Sequence, residues 1–144
     1  MQDTLPIHFA PLQGYTEAIY RNAHDAFFGG VDTYYTPFVR LEKGNFRRRD
    51  VRGIEPENNA VAHLIPQLIA SSAEKAEVIL SLFIEKGYQE VDINLGCPFP
   101  LLAKRHNGSG ILPYPEEVKA LLSIVTRYPQ ISFSVKMRLG WEQP

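Results

Sequence analysis

Hydrophobic and polar positions follow two different periods along this chain. Apolar or alternating runs of strand length occur at residues 7–10, 31–38, 61–70, 90–94 and 131–139. Between several of these runs, apolar residues recur at three- and four-residue spacing, which is typical of helices with one buried face. The polar segment 40–59 is only weakly periodic and predicts a short helix with a loop.

Three helices carry terminal signals. Thr16 is placed to cap the first helix, Ser71 with Glu74 matches a capping box before the second, and Pro115 suits the first turn of the third. The residues expected to face the core are Ile19, Ala23, Ala26 and Phe27 in the first helix, Ala76, Ile79, Leu80, Phe83 and Ile84 in the second, and Val118, Leu121, Leu122 and Val125 in the third.

Alternation of strands and helices predicts an α/β fold with a parallel sheet. A doubly wound sheet and a (β/α)8 barrel both fit, but no glycine-rich G-x-G-x-x-G turn follows the first strand, which weakens the first option. Special and polar residues fall at strand ends, as on a barrel rim. A whole barrel needs about 250 residues. We therefore expect residues 1–144 to form one partial domain, the N-terminal half of a TIM-type barrel with about five parallel strands.

Composition adds few constraints on function. The chain is 44% hydrophobic with a net charge of −1, so a core is expected and global basicity gives no argument for nucleic-acid binding. Residues 1–7 lack the features of a signal peptide, and no apolar run approaches the roughly 18–20 residues of a membrane helix. A single cysteine favours a reducing compartment, so we expect a cytoplasmic protein with no membrane partner.

Cys97 lies in Asn94-Leu95-Gly96-Cys97-Pro98, directly after the strand at 90–94. A lone cysteine forms neither an internal disulfide nor a multi-cysteine metal site. It is therefore a packing thiol, a nucleophile or a proton donor. A Gly-Cys-Pro turn at a strand end favours a thiol directed at solvent or at a ligand.

Lys136 lies late in an otherwise apolar strand, where an unpaired charge is costly. It either serves a ligand or pairs with a barrel carboxylate such as Asp92. Arg138 shares its face, because side chains two residues apart on a strand point the same way. His8, His24 and His63 have no metal-ligand spacing, so no metal site is expected.

Several segments together resemble one family, the dihydrouridine synthases. Ala10-Pro11-Leu12-Gln13-Gly14-Tyr15-Thr16 is similar to its Ala-Pro-Met-x-Gly-x-Thr opening, with Leu12 in place of the usual Met. The segment Asp92 to Pro98, followed by Lys104-Arg105 and Gly108-Ser109-Gly110-Ile111-Leu112, resembles its active-site block. Val135-Lys136-Met137-Arg138-Leu139-Gly140 resembles its next motif-bearing strand. The Asn-x-Gly-Cys-Pro block is the specific part of the match.

The resemblance implies a flavin-bearing β/α barrel followed by a small helical domain. The implied reaction reduces uridine to 5,6-dihydrouridine in tRNA, with FMN as cofactor and NAD(P)H as electron donor. The family's second half-barrel and its helical domain have no counterpart in these 144 residues. We therefore expect the isolated fragment to bind FMN weakly and to be inactive.

The resemblance also assigns roles to residues. Cys97 is the expected catalytic acid, which protonates C5 of uracil. Pro11, Leu12, Gln13, Gln67, Asn94 and Lys136 are expected at FMN, and Asn94, Lys104, Arg105 and Arg138 at the uracil or the RNA. For Arg138 the alternative is neutralisation of a rim acid. A further basic cluster, Arg40, Lys43, Arg47, Arg48, Arg49 and Arg52, is either a solvated face or a second RNA contact.

Two other functions remain open at this point. The chain is either a flavin barrel that acts on a free pyrimidine or small enone-like substrate, or a half-barrel without catalysis. In the second case an open sheet edge would favour self-association.

Overall fold

Strands and helices alternate along residues 5–141, which are the part of the chain that this computed structural model describes. The strands are β1 (His8–Phe9), β2 (Thr33–Tyr35), β3 (Leu41–Glu42), β4 (Asn45–Phe46), β5 (Leu64–Ile65), β6 (Gln67–Leu68), β7 (Glu90–Leu95) and β8 (Ser132–Met137). The helices are α1 (Ala18–Phe27), α2 (Arg48–Ile54), α3 (Ala73–Glu85), α4 (Pro100–Ala103) and α5 (Pro115–Arg127), with 3-10 turns at Pro56–Asn58 and Gly108–Ile111.

The parallel strands lie side by side in chain order. β1 pairs with β2 and β2 with β5, while β6 pairs with β7 and β7 with β8. Pro66 separates β5 from β6 because it has no N–H to donate, yet its carbonyl still accepts from Asp92 N at 3.0 Å. A parallel bridge from Val39 to Leu68 continues the arrangement. Sequential order without reversal distinguishes a β/α barrel from a doubly wound sheet. The predicted fold class, the N-terminal half of a TIM-type barrel, is confirmed.

The core lies between the strands and the outer helices. Val91, Ile93 and Leu95 of β7 point to this side, where they join apolar residues of α3 and α5. Asp92 and Asn94, in the alternate positions, therefore point to the other face. The predicted inner residues of α3 and α5 lie in or against this core, except Ile84 and Val125, which are each 39% exposed.

The predicted inner face of α1 is wrong. Ile19 and Phe27 are 85% and 83% exposed, and the buried residue of this helix is Arg21. Its guanidinium donates to the carbonyls of Thr16 and Gly53 at 2.7 and 2.8 Å, so α1 is attached through a charged side chain. Burial of this guanidinium lowers the pKa of Arg21 to about 10.

Two cap predictions are also wrong. The N-cap of α1 is Glu17, and the Thr16 hydroxyl instead accepts from Leu12 N at 2.9 Å. Thr16 therefore stabilises the turn after β1. The N-cap of α3 is Ser72, which accepts from Lys75 N, because the helix begins one residue later than predicted.

Local pairing accounts for other differences from the predictions. Within the predicted strand at 31–38, only Thr33–Tyr35 forms a β-strand. The segment 40–59 holds the predicted helix, α2, but also the antiparallel hairpin of β3 and β4. The predicted loop after β7 contains α4 and a 3-10 turn.

No helix within residues 5–141 has the length and apolar character needed to cross a membrane. The leader-peptide expectation falls partly on residues 1–4, which lie outside the described residues.

Candidate active site at the carboxyl edge of the strands

The polar residues of three neighbouring strands meet on the face opposite the helices. Gln67 of β6 lies opposite Asp92 of β7, and Asn94 of β7 lies opposite Lys136 of β8. The carboxyl ends of these strands lead directly into the turn that carries Cys97. Strand pairing therefore brings the predicted residues Gln67, Asn94 and Lys136 to one edge together with Cys97.

A chain of hydrogen bonds connects these strands. Gln67 Nε2 donates to Asp92 Oδ2 at 2.6 Å, and Asn94 Nδ2 donates to Gln67 Oε1 at 2.8 Å. The other Asp92 oxygen, Oδ1, accepts from Ser134 Oγ at 2.7 Å. Asp92, Gln67 and Asn94 are 2%, 0% and 7% exposed, so these bonds satisfy polar groups that water does not reach.

The carboxylate of Asp92 determines which group donates and which accepts in this series of hydrogen bonds. An ionised carboxylate only accepts, so Gln67 must present its amide nitrogen to Asp92 and its oxygen to Asn94. The amide of Asn94 is then turned with its oxygen towards the end of the strand. The orientation of two amides thus follows from one buried charge.

The oxygen of Asn94 holds the turn that contains Cys97. Asn94 Oδ1 accepts from Gly96 N at 3.1 Å and from Cys97 N at 2.9 Å. On the opposite side, both the N–H and the hydroxyl of Ser109 donate to the Cys97 carbonyl at 3.0 Å. The backbone of Cys97 is therefore fixed through its N–H and its C=O.

Close packing adds a steric constraint on this turn. A Cβ on Gly108 would lie 2.6 Å from the Cys97 carbonyl oxygen, and one on Gly110 would lie 2.2 Å from the oxygen of Ala103. Gly108 also has φ +60°, which favours glycine. The Gly-Ser-Gly segment can therefore pack against Cys97 and against the end of α4 only without side chains at these two positions.

The Cys97 side chain is half-buried. It packs against the buried cluster of Phe38, Ile69 and Leu102. The expectation of a thiol directed simply at solvent or a ligand therefore needs correction, because one side of this side chain contacts apolar residues. The protein shape leaves the other side accessible.

A cavity of about 250 Å³ opens on the polar face of the strands. His8, Pro11, Tyr35, Asp92, Ser134 and Lys136 are among its lining residues. Lys136 forms no ion pair within residues 5–141, and the oxygens of Asp92 are bonded to Gln67 and Ser134. The alternative of a direct Lys136–Asp92 pair is thus not observed. The Lys136 charge still acts on Asp92, since it opposes the rise in the pKa of that carboxyl.

The turn after β1 supplies the remaining predicted cofactor residues. Pro11 lines the cavity, and Leu12 is 57% exposed. Both polar atoms of the Gln13 amide are covered and have no hydrogen-bond partner within the described residues. An unpaired buried amide costs about 1–3 kcal/mol. The Gln13 amide could therefore still form hydrogen bonds with a polar group of a ligand.

The predicted RNA-binding residues separate into different surfaces. Lys104 lines a cavity of about 360 Å³ with His106, Tyr114 and Trp141. Arg105 is exposed and lines a second cavity, next to Arg40. Arg138 is exposed after the end of β8. No cluster of three or more metal-ligating side chains occurs in the part of the chain that the structure describes.

Sequence reasoning missed Ser134 and Ser109, and named Asp92 only as a partner for Lys136. A signal for the inner face was present, because Asp92 with Asn94 and Ser134 with Lys136 alternate with apolar residues in two neighbouring strands. Ser109 had no such signal, since its role depends on how the loop folds back on Cys97.

Burial raises the pKa of Asp92 above the ordinary 3.8, although Gln67, Ser134 and Lys136 oppose the shift. A raised pKa means that the folded state binds the proton more tightly than the unfolded state does. The stabilisation from this proton is therefore complete below pH 3.8 and is lost as the pH rises through the folded-state pKa.

Asp92→Asn should remove this pH dependence. We expect the free energy of unfolding of wild type, from urea titrations, to fall relative to that of Asp92→Asn as the pH is raised from 3.8. Glu57→Gln, at an exposed carboxylate, is the control. A wild-type-minus-variant difference that is constant with pH would contradict the burial argument.

Comparison with known proteins agrees with this geometry. The family model described as "Dihydrouridine synthase (Dus)" matches residues 8–144. The chain is 29% identical over 139 residues to "Probable tRNA-dihydrouridine synthase 1" of Synechocystis sp., which covers 92% of this chain and 37% of that protein. It is 33% identical over 103 residues to "tRNA-dihydrouridine synthase B" of Klebsiella pneumoniae, which covers 70% of this chain and 30% of that protein.

The chain thus spans about a third of the length of the curated relatives it matches. The match includes the Cys97 turn, the Gly-Ser-Gly segment and the strand with Lys136, because all three fall within residues 8–144. The chain belongs to the dihydrouridine synthase family.

Proposed function

We propose that the protein reduces uridine to 5,6-dihydrouridine in tRNA, with FMN and NAD(P)H as cofactor and electron donor. One observation carries the proposal. Cys97, whose backbone is held by hydrogen bonds, follows the carboxyl end of β7. On the neighbouring strand, Lys136 lies opposite Asn94, lines a cavity on the polar face and has no ion-pair partner within residues 5–141. We assign the reaction to the cytoplasm, and to the whole protein that contains this chain.

The residues around the cavity fit a flavin ring. The cavity of about 250 Å³ is slightly below the usual range of about 300–1,000 Å³ for ligand sites, so it suits a ring more than a complete nucleotide. The Lys136 ammonium lines the cavity and offers a polar partner. The turn that contains Pro11 also carries Gln13, whose amide has no hydrogen-bond partner within the described residues. Bound FMN would supply to C6 of uracil the hydride that it obtains from NAD(P)H.

Cys97 is the proposed proton donor. Reduction of the uracil 5,6 double bond needs a proton at C5 as well as a hydride at C6. The Cys97 thiol would donate this proton from Sγ. The bonds to Asn94 and Ser109 hold the backbone of Cys97, so the point from which its side chain extends is fixed relative to the strands.

The other residues bind and orient. Pro11 and Leu12 line the ring, and Lys136 places positive charge beside it. Asn94 and Gln67 each retain one amide hydrogen for the flavin or the uracil, although Gln67 is fully covered and reaches a ligand only if its neighbours move. Lys104, Arg105 and Arg138 contact RNA, whose target base must be flipped out to expose its carbons.

In the whole protein that contains this chain, Cys97→Ala should lower dihydrouridine formation on tRNA by about 10²–10⁴-fold, which is the usual contribution of a positioned acid. The loss follows from removal of the proposed proton donor. Dihydrouridine is measured by mass spectrometry of the tRNA, and retention of tRNA at low salt is the control for folding. Undiminished product would remove the acid role from Cys97.

Lys136→Met should weaken FMN binding, because it keeps the length of the side chain but removes its charge. The measurement is a fluorescence titration of FMN with wild type, Lys136→Met and the matched surface variant Lys119→Met. We expect a weaker dissociation constant for Lys136→Met alone. Equal constants for all three proteins would count against the assignment.

A flavin barrel that acts on a free pyrimidine is the rival function. The exposed Lys104 and Arg105 near the Cys97 turn favour RNA. Turnover of free uracil, together with no retention of tRNA, would favour the rival instead.

A further inference from the structure

A basic groove lies on the outer side of the Cys97 turn. Its volume is about 340 Å³, and its lining includes Arg40, Lys43, Lys75, Arg105 and Asn107. Arg40 and Lys43 come from the β3–β4 region, Lys75 from the first turn of α3, and Arg105 from the segment after α4. We define the basic groove by these five residues.

The groove is locally basic, in contrast to the chain as a whole. No carboxylate among residues 5–141 lines it, although the whole chain has a net charge of −1. The exposed Glu42 lies 3.5 Å from Arg40, and the exposed Glu74 also acts on Lys75. Ion pairs at a surface contribute little, so the four cations that line the concavity are only weakly compensated.

Lys75 and Arg40 both have unused donors in the groove. Lys75 Nζ donates to Ser71 Oγ at 2.9 Å and to no other group within residues 5–141, which leaves two of its three N–H groups. Arg40 Nε has no hydrogen-bond partner within the described residues either, but it is covered and reaches an anion only if its neighbours move. Guanidinium and ammonium groups of this kind are the common ligands of phosphate.

The hairpin turn supports the same conclusion. Lys43 has φ +51° and Gly44 has φ +80°, so these two residues form the loop between β3 and β4 with left-handed backbone. Asn, Asp or Gly usually occupies such positions. A lysine there tolerates strain of about 1–2 kcal/mol and places its charge at the tip of the hairpin.

The groove is separated from Cys97 by a single layer of side chains. Ile69 and Leu102 line the groove and also belong to the cluster against which Cys97 packs. A polynucleotide bound along the groove would therefore pass close to the thiol. This proximity favours a polynucleotide that carries the reacting base over a small anion.

We propose that the basic groove binds backbone phosphates of the RNA substrate beside the uridine to be reduced. The inference rests on the proposed function for the identity of the RNA. It joins two basic segments that are separate in sequence, and it adds Lys75, which neither segment contains.

The test is a double charge reversal, Lys43→Glu with Arg105→Glu. Both side chains are exposed, so the variant should fold. Lys119→Glu with Arg127→Glu is the matched control, because it changes the net charge equally at exposed positions of α5, outside the groove and outside the basic cluster of residues 40–52. Binding of a fluorescein-labelled, unmodified tRNA transcript is measured by anisotropy at several salt concentrations.

We expect the groove variant to bind tRNA at least about tenfold more weakly, and its salt slope to fall by about 1 per lost phosphate contact. The control should keep the wild-type slope. Equal affinity and slope for the groove variant and the control would overturn the proposal, as would absence of tRNA binding by wild type. Dihydrouridine formation, assayed in parallel with the whole protein that contains this chain, tests the proposed function separately: tRNA binding that depends on the groove without any product would contradict the reaction and leave the groove supported.

Discussion

The buried carboxylate of Asp92 is the constraint on which the site depends. Both of its oxygens accept hydrogen bonds, from Gln67 and Ser134, inside a sheet that excludes water. This fixes the sense of the Gln67 and Asn94 amides, and the Asn94 oxygen then holds the backbone of Cys97. The pairing of three strands therefore holds the backbone of Cys97 on one side, and Ser109 of the following loop holds its carbonyl.

The two faces of the strands have different roles: one packs against the helices, and the other carries the polar network and the cavity. Apolar residues at alternate positions of β7 pack against α3 and α5 and stabilise the half-barrel. The intervening polar residues form the network and line the cavity on the other face. Around the turn that follows, apolar contacts hold the Cys97 side chain, and a layer of the same residues separates it from the basic groove. A reducible base and its phosphate backbone would thus be served by opposite sides of one loop.

Much of this could be predicted from the sequence, and the failures have physical causes. Alternating periods predicted the parallel α/β fold, and the Asn-x-Gly-Cys-Pro turn indicated the strand edge at which the candidate site lies. The network was missed because Gln67, Asp92 and Ser134 meet only through strand register, which no local pattern encodes. The face of α1 was wrong because a buried arginine attaches that helix and its apolar stripe has no cover within residues 5–141. The basic groove likewise needed tertiary structure to bring Lys75 beside Arg105.

Amide hydrogen exchange at Cys97 tests the central claim most directly. Gln67 does not touch Cys97, but the account holds that it orients the Asn94 amide that does. Gln67→Met keeps the side-chain volume and removes the amide. The account predicts a slow-exchanging Cys97 N–H in wild type and clearly faster exchange in the variant, with unchanged exchange at Ile79 in the core of α3. Unchanged protection of the Cys97 amide in Gln67→Met would contradict it.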